Sequence, residues 1–179
     1  GIEVSGSDAK DSRRLQALKP LGGIVFVGHD ADNLLISGTQ PSCVVISTAI
    51  GQDNPEVVKA AELGVPVVSR AIALAELLEN TTAISVAGTH GKTTTSTMIA
   101  HLLKHANRNV TAFLGGIASN YGTNLLVASE SENEIMVAEA DEYDRSFLKL
   151  NPDTSVITSL DPDHLDIYGS KQNMVDCYT

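Results

Sequence analysis

The chain has no tryptophan, three phenylalanines and four tyrosines in 179 residues, so aromatic side chains make up only 4% of it. That leaves too few flat side chains for a platform on which nucleic-acid bases stack. Clustered positive charge is missing as well: 12 Lys and Arg face 22 Asp and Glu, a formal net charge of −10, and a polyanionic backbone is not an expected partner. No apolar run approaches the ~20 residues that a membrane-spanning helix needs. The opening residues Gly1-Ile2-Glu3-Val4 carry neither a basic nor an apolar signal region, so they are not expected to be a signal peptide. The two cysteines, Cys43 and Cys177, lie far apart with no CxxC and no Cys/His cluster. Cys43 sits in an apolar run and is expected as a small buried hydrophobe, and a disulfide is not expected.

What is present is an alternation of short apolar β-rich runs and helical patterns. The runs fall at 23–27, 43–47, 65–69, 83–87, 110–114, 134–138 and 155–159, and most are apolar throughout, as in strands buried on both faces of a parallel sheet. Helices are expected over 11–18, 55–63, 71–79 and 93–105, the second with Pro55 in its first turn and Gly64 at its end. In the last of these, Met98, Ile99, Leu102, Leu103 and Ala106 form the expected core-facing stripe. Alternating βα units imply an α/β fold with an open, mostly parallel sheet. The polar trio Asn80-Thr81-Thr82 suggests a boundary between a Rossmann-like front domain, 1–80, and a second domain, 81–179. The front domain starts on what reads as a second Rossmann strand, with no first strand or glycine turn before it, and the far end stops inside a starting helix, so the chain reads as a fragment.

The strongest motif is Gly88-Thr89-His90-Gly91-Lys92-Thr93-Thr94, between a buried strand and a helix. Glycines let the backbone curl so that successive N–H groups point inward, and the helix N-terminus adds its positive end. Lys92 can reach outer phosphates, and the Thr93 hydroxyl can ligate Mg²⁺. Only two residues separate Gly88 from Gly91 where the usual phosphate loop has four, with Val86 in the place of the earlier glycine. An ordinary strand-to-helix turn could also contain Gly-Lys-Thr, although the strand and helix lie on the correct sides for a phosphate loop.

Two more strands end in acids. One runs into Glu139-Ala140-Asp141-Glu142-Tyr143-Asp144, the other into Asp161-Pro162-Asp163-His164-Leu165-Asp166. In a parallel sheet the carboxyl ends of strands share one edge, where ligands bind. Carboxylate oxygens and an imidazole beside a triphosphate suit a Mg²⁺ or Mn²⁺ site. Glu139 and His164 are the candidates; Asp144, Asp153, Asp163 and Asp166 read as solvated loop charges. In the front domain, Asp8 ends a strand where Rossmann-like domains place an acid for ribose hydroxyls. His29, Ser47 and Arg70 follow the next three strands.

The run Val86 to Thr95, with a His before the second glycine, resembles the shortened nucleotide loop of the Mur ligases. Glu-Ala-Asp-Glu at 139–142 and Asp-x-Asp-His-Leu-Asp-x-Tyr at 161–168 resemble the central domain of the same family. Strand-Ser-Gly-Ser-Asp, then Gly-His, then Ser-x-Ala-Ile before Asn-Pro-Glu, then Arg-Ala resemble its UDP-binding domain, with Thr48 departing from an expected Ser. The match covers nearly the whole chain. The resemblance implies ATP-dependent amide-bond formation between L-alanine and UDP-N-acetylmuramate through an acyl phosphate, in the bacterial cytoplasm. It implies that Gly88, Thr89, His90, Gly91, Lys92, Thr93 and Thr94 hold the nucleotide. Thr93 would ligate one metal ion and Glu139 with His164 a second; Lys92, Glu139 and His164 are the catalytic set. Asp8, His29, Ser47, Arg70 and Asn124, the last in the polar run 119–124, are expected at the substrate. His101 and His105 are expected on the surface. A ligase that reattaches recycled murein tripeptide shares these features, and Asp144-Arg145-Ser146-Phe147-Leu148 favours the alanine enzyme. A nucleotide-binding regulator that forms no bond is the rival from another class. The family closes a further C-terminal domain over ATP, so this polypeptide alone is expected to bind weakly and not to turn over. The oligomeric state is left open.

Overall fold

The computed structural model describes residues 2–36, 38–79, 81–129, 133–140, 146–161 and 170–177. They form two compact units, Gly1–Arg70 and Ala71–Thr179.

In the first unit, β1 (Ser5–Asp8) pairs in parallel with β2 (Ile24–Val27), Ser5 opposite Ile24 and Asp8 opposite Val27. A second parallel pair joins β3 (Val44–Ile46) to β4 (Val67–Ser69). The expectation of strands buried on both faces fails here, since Val27 is 56% and Val45 51% exposed. A two-stranded ribbon gives each strand one neighbour, so its apolar side chains stay partly open. Cys43, just before β3, is exposed for the same reason and not buried as expected; both cysteines are free thiols.

Helix α1 spans only Arg13–Gln16, shorter than the expected 11–18, because Ser12 caps it and a separate 3-10 turn containing Pro20 follows at Lys19–Leu21. Helix α2, Pro55–Leu63, matches its sequence signals. The Asn54 side chain accepts from the Glu56 N–H at 2.9 Å, Pro55 fills the first turn, and Gly64 closes the helix at φ 69°.

The second unit is built on a five-stranded sheet in the order β7-β6-β8-β5-β9. Its strands are β5 (Thr82–Ala87), β6 (Val110–Ala118), β7 (Thr123–Leu126), β8 (Ile135–Glu139) and β9 (Thr154–Ile157). All pairings are parallel except β6 with β7. Helices α3 (Arg70–Leu78), α4 (Lys92–His105) and α5 (Lys171–Asp176) complete the elements. The period of two in β8 explains the layering. Ile135 and Val137 join the cluster around Ala100 of α4, while Met136 and Ala138 join Leu74 and Leu78 of α3. By packing, α3 therefore groups with the second unit, and the contact division falls at 70/71 where the composition of the chain suggests 80.

The stripe that α4 turns to the core differs from the expected one. Ser96 and Ala100 are fully buried, with Ile99 and Leu103 half-buried beside them, whereas Met98 is 58% and Leu102 63% exposed. Small side chains at 96 and 100 let the helix axis approach the sheet, which rotates the larger pair outward. His101 is also drawn in, its Nδ1 lying 2.9 Å from the Tyr121 hydroxyl. Asp153, expected as a solvated charge, accepts at 2.8 Å from the backbone N–H of buried Ala83. Asp153→Ala leaves that N–H without its partner, and a loss of about 1–3 kcal/mol is expected in urea unfolding.

Candidate nucleotide site

The fold brings three chain segments to the carboxyl ends of β5, β8 and β9. β5 delivers the loop. Gly88 adopts φ +115°, and a Cβ there would stand 2.7 Å from the Ser159 carbonyl oxygen and 2.8 Å from its nitrogen. Only glycine fits both the backbone angle and the gap. Gly91 follows at φ 80° and starts α4, so Lys92, Thr93 and Thr94 occupy its first turn. The Thr95 N–H bonds back to the Gly91 carbonyl at 2.9 Å. First-turn N–H groups ahead of such a bond have no acceptor within the helix and form a site for anions. Val86, which stands where the usual loop has its earlier glycine, is fully buried within β5.

Ser159, just past β9, holds the loop's shape. Its carbonyl accepts from the Thr89 N–H at 3.1 Å and its hydroxyl from the His90 N–H at 3.0 Å. The Thr89 hydroxyl donates to the Asp161 carbonyl at 2.8 Å. On the other side, the Lys92 ammonium donates to the Gly88 carbonyl at 2.8 Å, folding the side chain over the loop. Gly88→Ala faces immovable backbone and a left-handed angle together. A loss of about 1–3 kcal/mol is expected, with nucleotide affinity falling in parallel, read by thermal unfolding and calorimetry.

β8 delivers the carboxylate. Glu139 is its last residue, and the Thr93 hydroxyl lies 3.1 Å from Oε1 and 2.9 Å from Oε2. The Gly115 N–H of β6 donates to Oε2 at 2.8 Å. Gly115 sits so close that a Cβ would stand 2.6 Å from Cδ of Glu139, and a Cβ on Gly116 would touch the Thr93 methyl at 3.4 Å. Thr93 and Glu139 are thus brought together, beside the loop that carries Lys92. Their hydroxyl and carboxylate oxygens are hard donors of the kind Mg²⁺ takes. Among the described residues no three His, Cys, Asp or Glu side chains gather as a metal site. His164, Asp163, Asp166, Asp144 and Arg145 lie outside the described residues.

In the first unit, Asp8 ends β1 and accepts from the Lys10 N–H at 3.0 Å. His29 follows β2, and its Nδ1 lies 2.9 Å from the Ser7 hydroxyl. Ser47 is exposed just after β3. Arg70 opens α3 directly, so it lies on a helix and not in a loop after β4. Asn124, expected in a polar loop, lies within β7 on the sheet's antiparallel edge. Composition and spacing did not reveal Ser159, Gly115 or Glu56, the partners that fix the candidate residues. Each acts across a gap in the chain that no local pattern reports.

A nucleotide-type loop whose threonine bonds a carboxylate on the neighbouring strand places this protein in a class that comparison defines. Residues 86–178 match the Mur ligase middle domain, and residues 1–82 match the Mur ligase family catalytic domain. The chain belongs to the Mur ligase family. It is 51% identical to UDP-N-acetylmuramate–L-alanine ligase of Agrobacterium fabrum over 95% of this chain and 35% of that protein. It is 46% identical to the ligase of that name from Streptomyces coelicolor, over 99% and 37%. The chain thus spans about a third of the length of the curated relatives it matches. Among solved structures, UDP-N-acetylmuramate-alanine ligase MurC of Thermotoga maritima is 35% identical with a TM-score of 0.85, over 98% of this chain and 40% of that one. The UDP-N-acetylmuramate:L-alanyl-γ-D-glutamyl-meso-diaminopimelate ligase of Neisseria meningitides is 31% identical with a TM-score of 0.85, over 98% and 58%.

Proposed function

We propose that the full-length protein joins L-alanine to UDP-N-acetylmuramate at the expense of ATP, in the bacterial cytoplasm. The observation that carries this reading is the Thr93–Glu139 contact at 2.9 Å beside the Gly88–Thr94 loop. Residues 1–80 would bind the UDP-sugar through Asp8, His29, Ser47 and Arg70, with Asn124 of the second domain also at the substrate; residues 81–179 would bind ATP. The first-turn amides of Lys92 to Thr94 and the Lys92 ammonium would surround the phosphates, while the Thr89 and His90 amides are engaged by Ser159. Thr93, and Glu139 with His164, are the residues that would hold Mg²⁺, whose chemistry when bound is to neutralise phosphate charge.

Phosphoryl transfer asks the protein mostly for positioning and charge neutralisation. A muramate carboxylate oxygen takes the γ-phosphoryl group, the bond to ADP breaks, and an acyl phosphate results. The alanine amine then attacks the carbonyl carbon, its extra proton leaves, and the carbon–oxygen bond to phosphate breaks. Lys92 follows the transferring charge, while the hydrogen bonds from the Thr89 and His90 N–H groups to Ser159 hold its loop in place.

The names of the relatives support alanine as the incoming group. The tripeptide ligase has the same TM-score as the alanine ligase, so the fold alone does not choose between acceptors. Phosphate release by the full-length protein with ATP, Mg²⁺ and UDP-N-acetylmuramate separates them. Dependence on L-alanine is the expected result, and release with the murein tripeptide alone would move the protein to the recycling reaction.

A further inference from the structure

A second hydrogen-bonded constellation lies wholly within the first unit, where β1, β2 and the first turn of α2 meet. The Ser7 hydroxyl donates to Glu56 Oε2 at 2.7 Å and lies 2.9 Å from His29 Nδ1. Glu56 Oε1 accepts from the Asn33 side-chain amide at 2.7 Å and from the Asp30 N–H at 3.4 Å. Asn33 also reaches the Gly28 carbonyl at 3.2 Å, which ties the turn that carries His29. The Glu56 side chain is 13% exposed and that of His29 22%. The arrangement looks like a Ser-His-acid triad but differs where it matters, because serine stands between the acid and the imidazole. His29 Nδ1 is 3.8 Å from Glu56 Oε2, too far for a direct hydrogen bond.

Proton bookkeeping then fixes the imidazole. A carboxylate only accepts, so the single hydroxyl proton of Ser7 goes to Glu56. Ser7 can meet His29 Nδ1 only as an acceptor, so Nδ1 carries a proton. In a neutral ring that leaves Nε2 with its lone pair, on a side chain that keeps some exposure at the carboxyl end of β2. We infer that Glu56, acting through Ser7, holds His29 as the Nδ1–H tautomer so that Nε2 accepts a hydrogen bond from a hydroxyl or amide N–H of the UDP-sugar. Glu56 and Ser7 are positioning residues, and His29 is the contact. The ligand half of this inference rests on the function proposed above; the tautomer half does not.

Ring-¹⁵N-histidine spectra of the full-length protein at pH 8 test it, with His29→Asn identifying the resonances. The expected spectrum has a protonated Nδ1 and a bare Nε2, and the Nε2 resonance moves on saturation with UDP-N-acetylmuramate while staying unprotonated. The variant Glu56→Gln keeps shape and inverts the chain. Its Oε1 is held by Asn33 and Asp30, so its amide NH₂ faces Ser7 and donates. The Ser7 proton then turns to His29 Nδ1, and the ring becomes the Nε2–H tautomer. Affinity for UDP-N-acetylmuramate should fall about tenfold, the worth of one hydrogen bond. A merely structural role for Glu56 would not invert a tautomer. An Nε2–H or doubly protonated ring in the unaltered protein overturns the inference, as does an Nε2 resonance unmoved by a UDP-sugar that calorimetry shows to be bound. Calorimetry that finds no binding of any UDP-sugar would overturn the proposed function instead, and the ligand-free spectrum still decides the tautomer.

Discussion

Lys92→Ala in the full-length protein is expected to lower kcat by about 10²- to 10³-fold while leaving the unfolding midpoint nearly unchanged, the scale seen when one preorganised donor to a developing charge is removed. Lys92 opens α4 and is half-buried, and its ammonium is held at 2.8 Å from the Gly88 carbonyl, so it already lies over the turn that would cradle phosphate. Truncation removes a point charge from the loop and leaves no apolar cavity in either core cluster. Steady-state kinetics with varied ATP, alongside thermal unfolding, separates the two effects. A variant with near-normal turnover would mean that the loop amides and metal suffice without the lysine.

Gly115→Ala should give the second large effect, by a different physical route. Its new Cβ would collide with the Glu139 carboxylate, which is the end of a flexible side chain, so the clash is relieved by swinging that carboxylate away. The cost in stability is then small, within about 1 kcal/mol, unlike Gly88→Ala, where the obstacle is the Ser159 backbone. Function should suffer more, because Glu139 leaves both the Thr93 hydroxyl and the Gly115 N–H. A rise in KM for ATP of about tenfold or more, steeper at low Mg²⁺, is the expected result. Unchanged kinetics would show that the precise seat of Glu139 is unimportant.

The contrast between these glycines shows where a linear reading of the chain reaches its limit. Gly88 was legible, because a glycine between a buried apolar run and Gly-Lys-Thr implies a turn. Gly115 was not, because its reason is a side chain 24 residues away. The same holds for Ser159 against the loop and Asp153 against Ala83. Strands β5 and β8 were readable as continuous apolar runs because both faces are covered, by α3 and by α4. Strand β7 was missed since Thr123-Asn124 reads as loop, and its edge position in the sheet demands little apolar character. On α4, periodicity named the largest apolar residues as the core face. The fold keeps Ile99 and Leu103 of that stripe against the core, turns Met98 and Leu102 outward, and centres the face on Ser96 and Ala100, where side-chain size matters more than hydrophobicity. The shared carboxyl edge of a parallel sheet placed the Thr93 loop and Glu139 on one side, but the direct Thr93–Glu139 contact was not foreseen, since the family resemblance assigned the two residues to different metal ions.

The account turns on whether Thr93 and Glu139 form the metal end of a nucleotide site. Calorimetric ATP affinity of the full-length protein, with Mg²⁺ and with a chelator, compared with that of Glu139→Gln, tests this most directly. The prediction is that Mg²⁺ tightens ATP binding in the unaltered protein and that most of this gain disappears in Glu139→Gln. Full metal dependence in that variant would contradict the account and place the metal elsewhere.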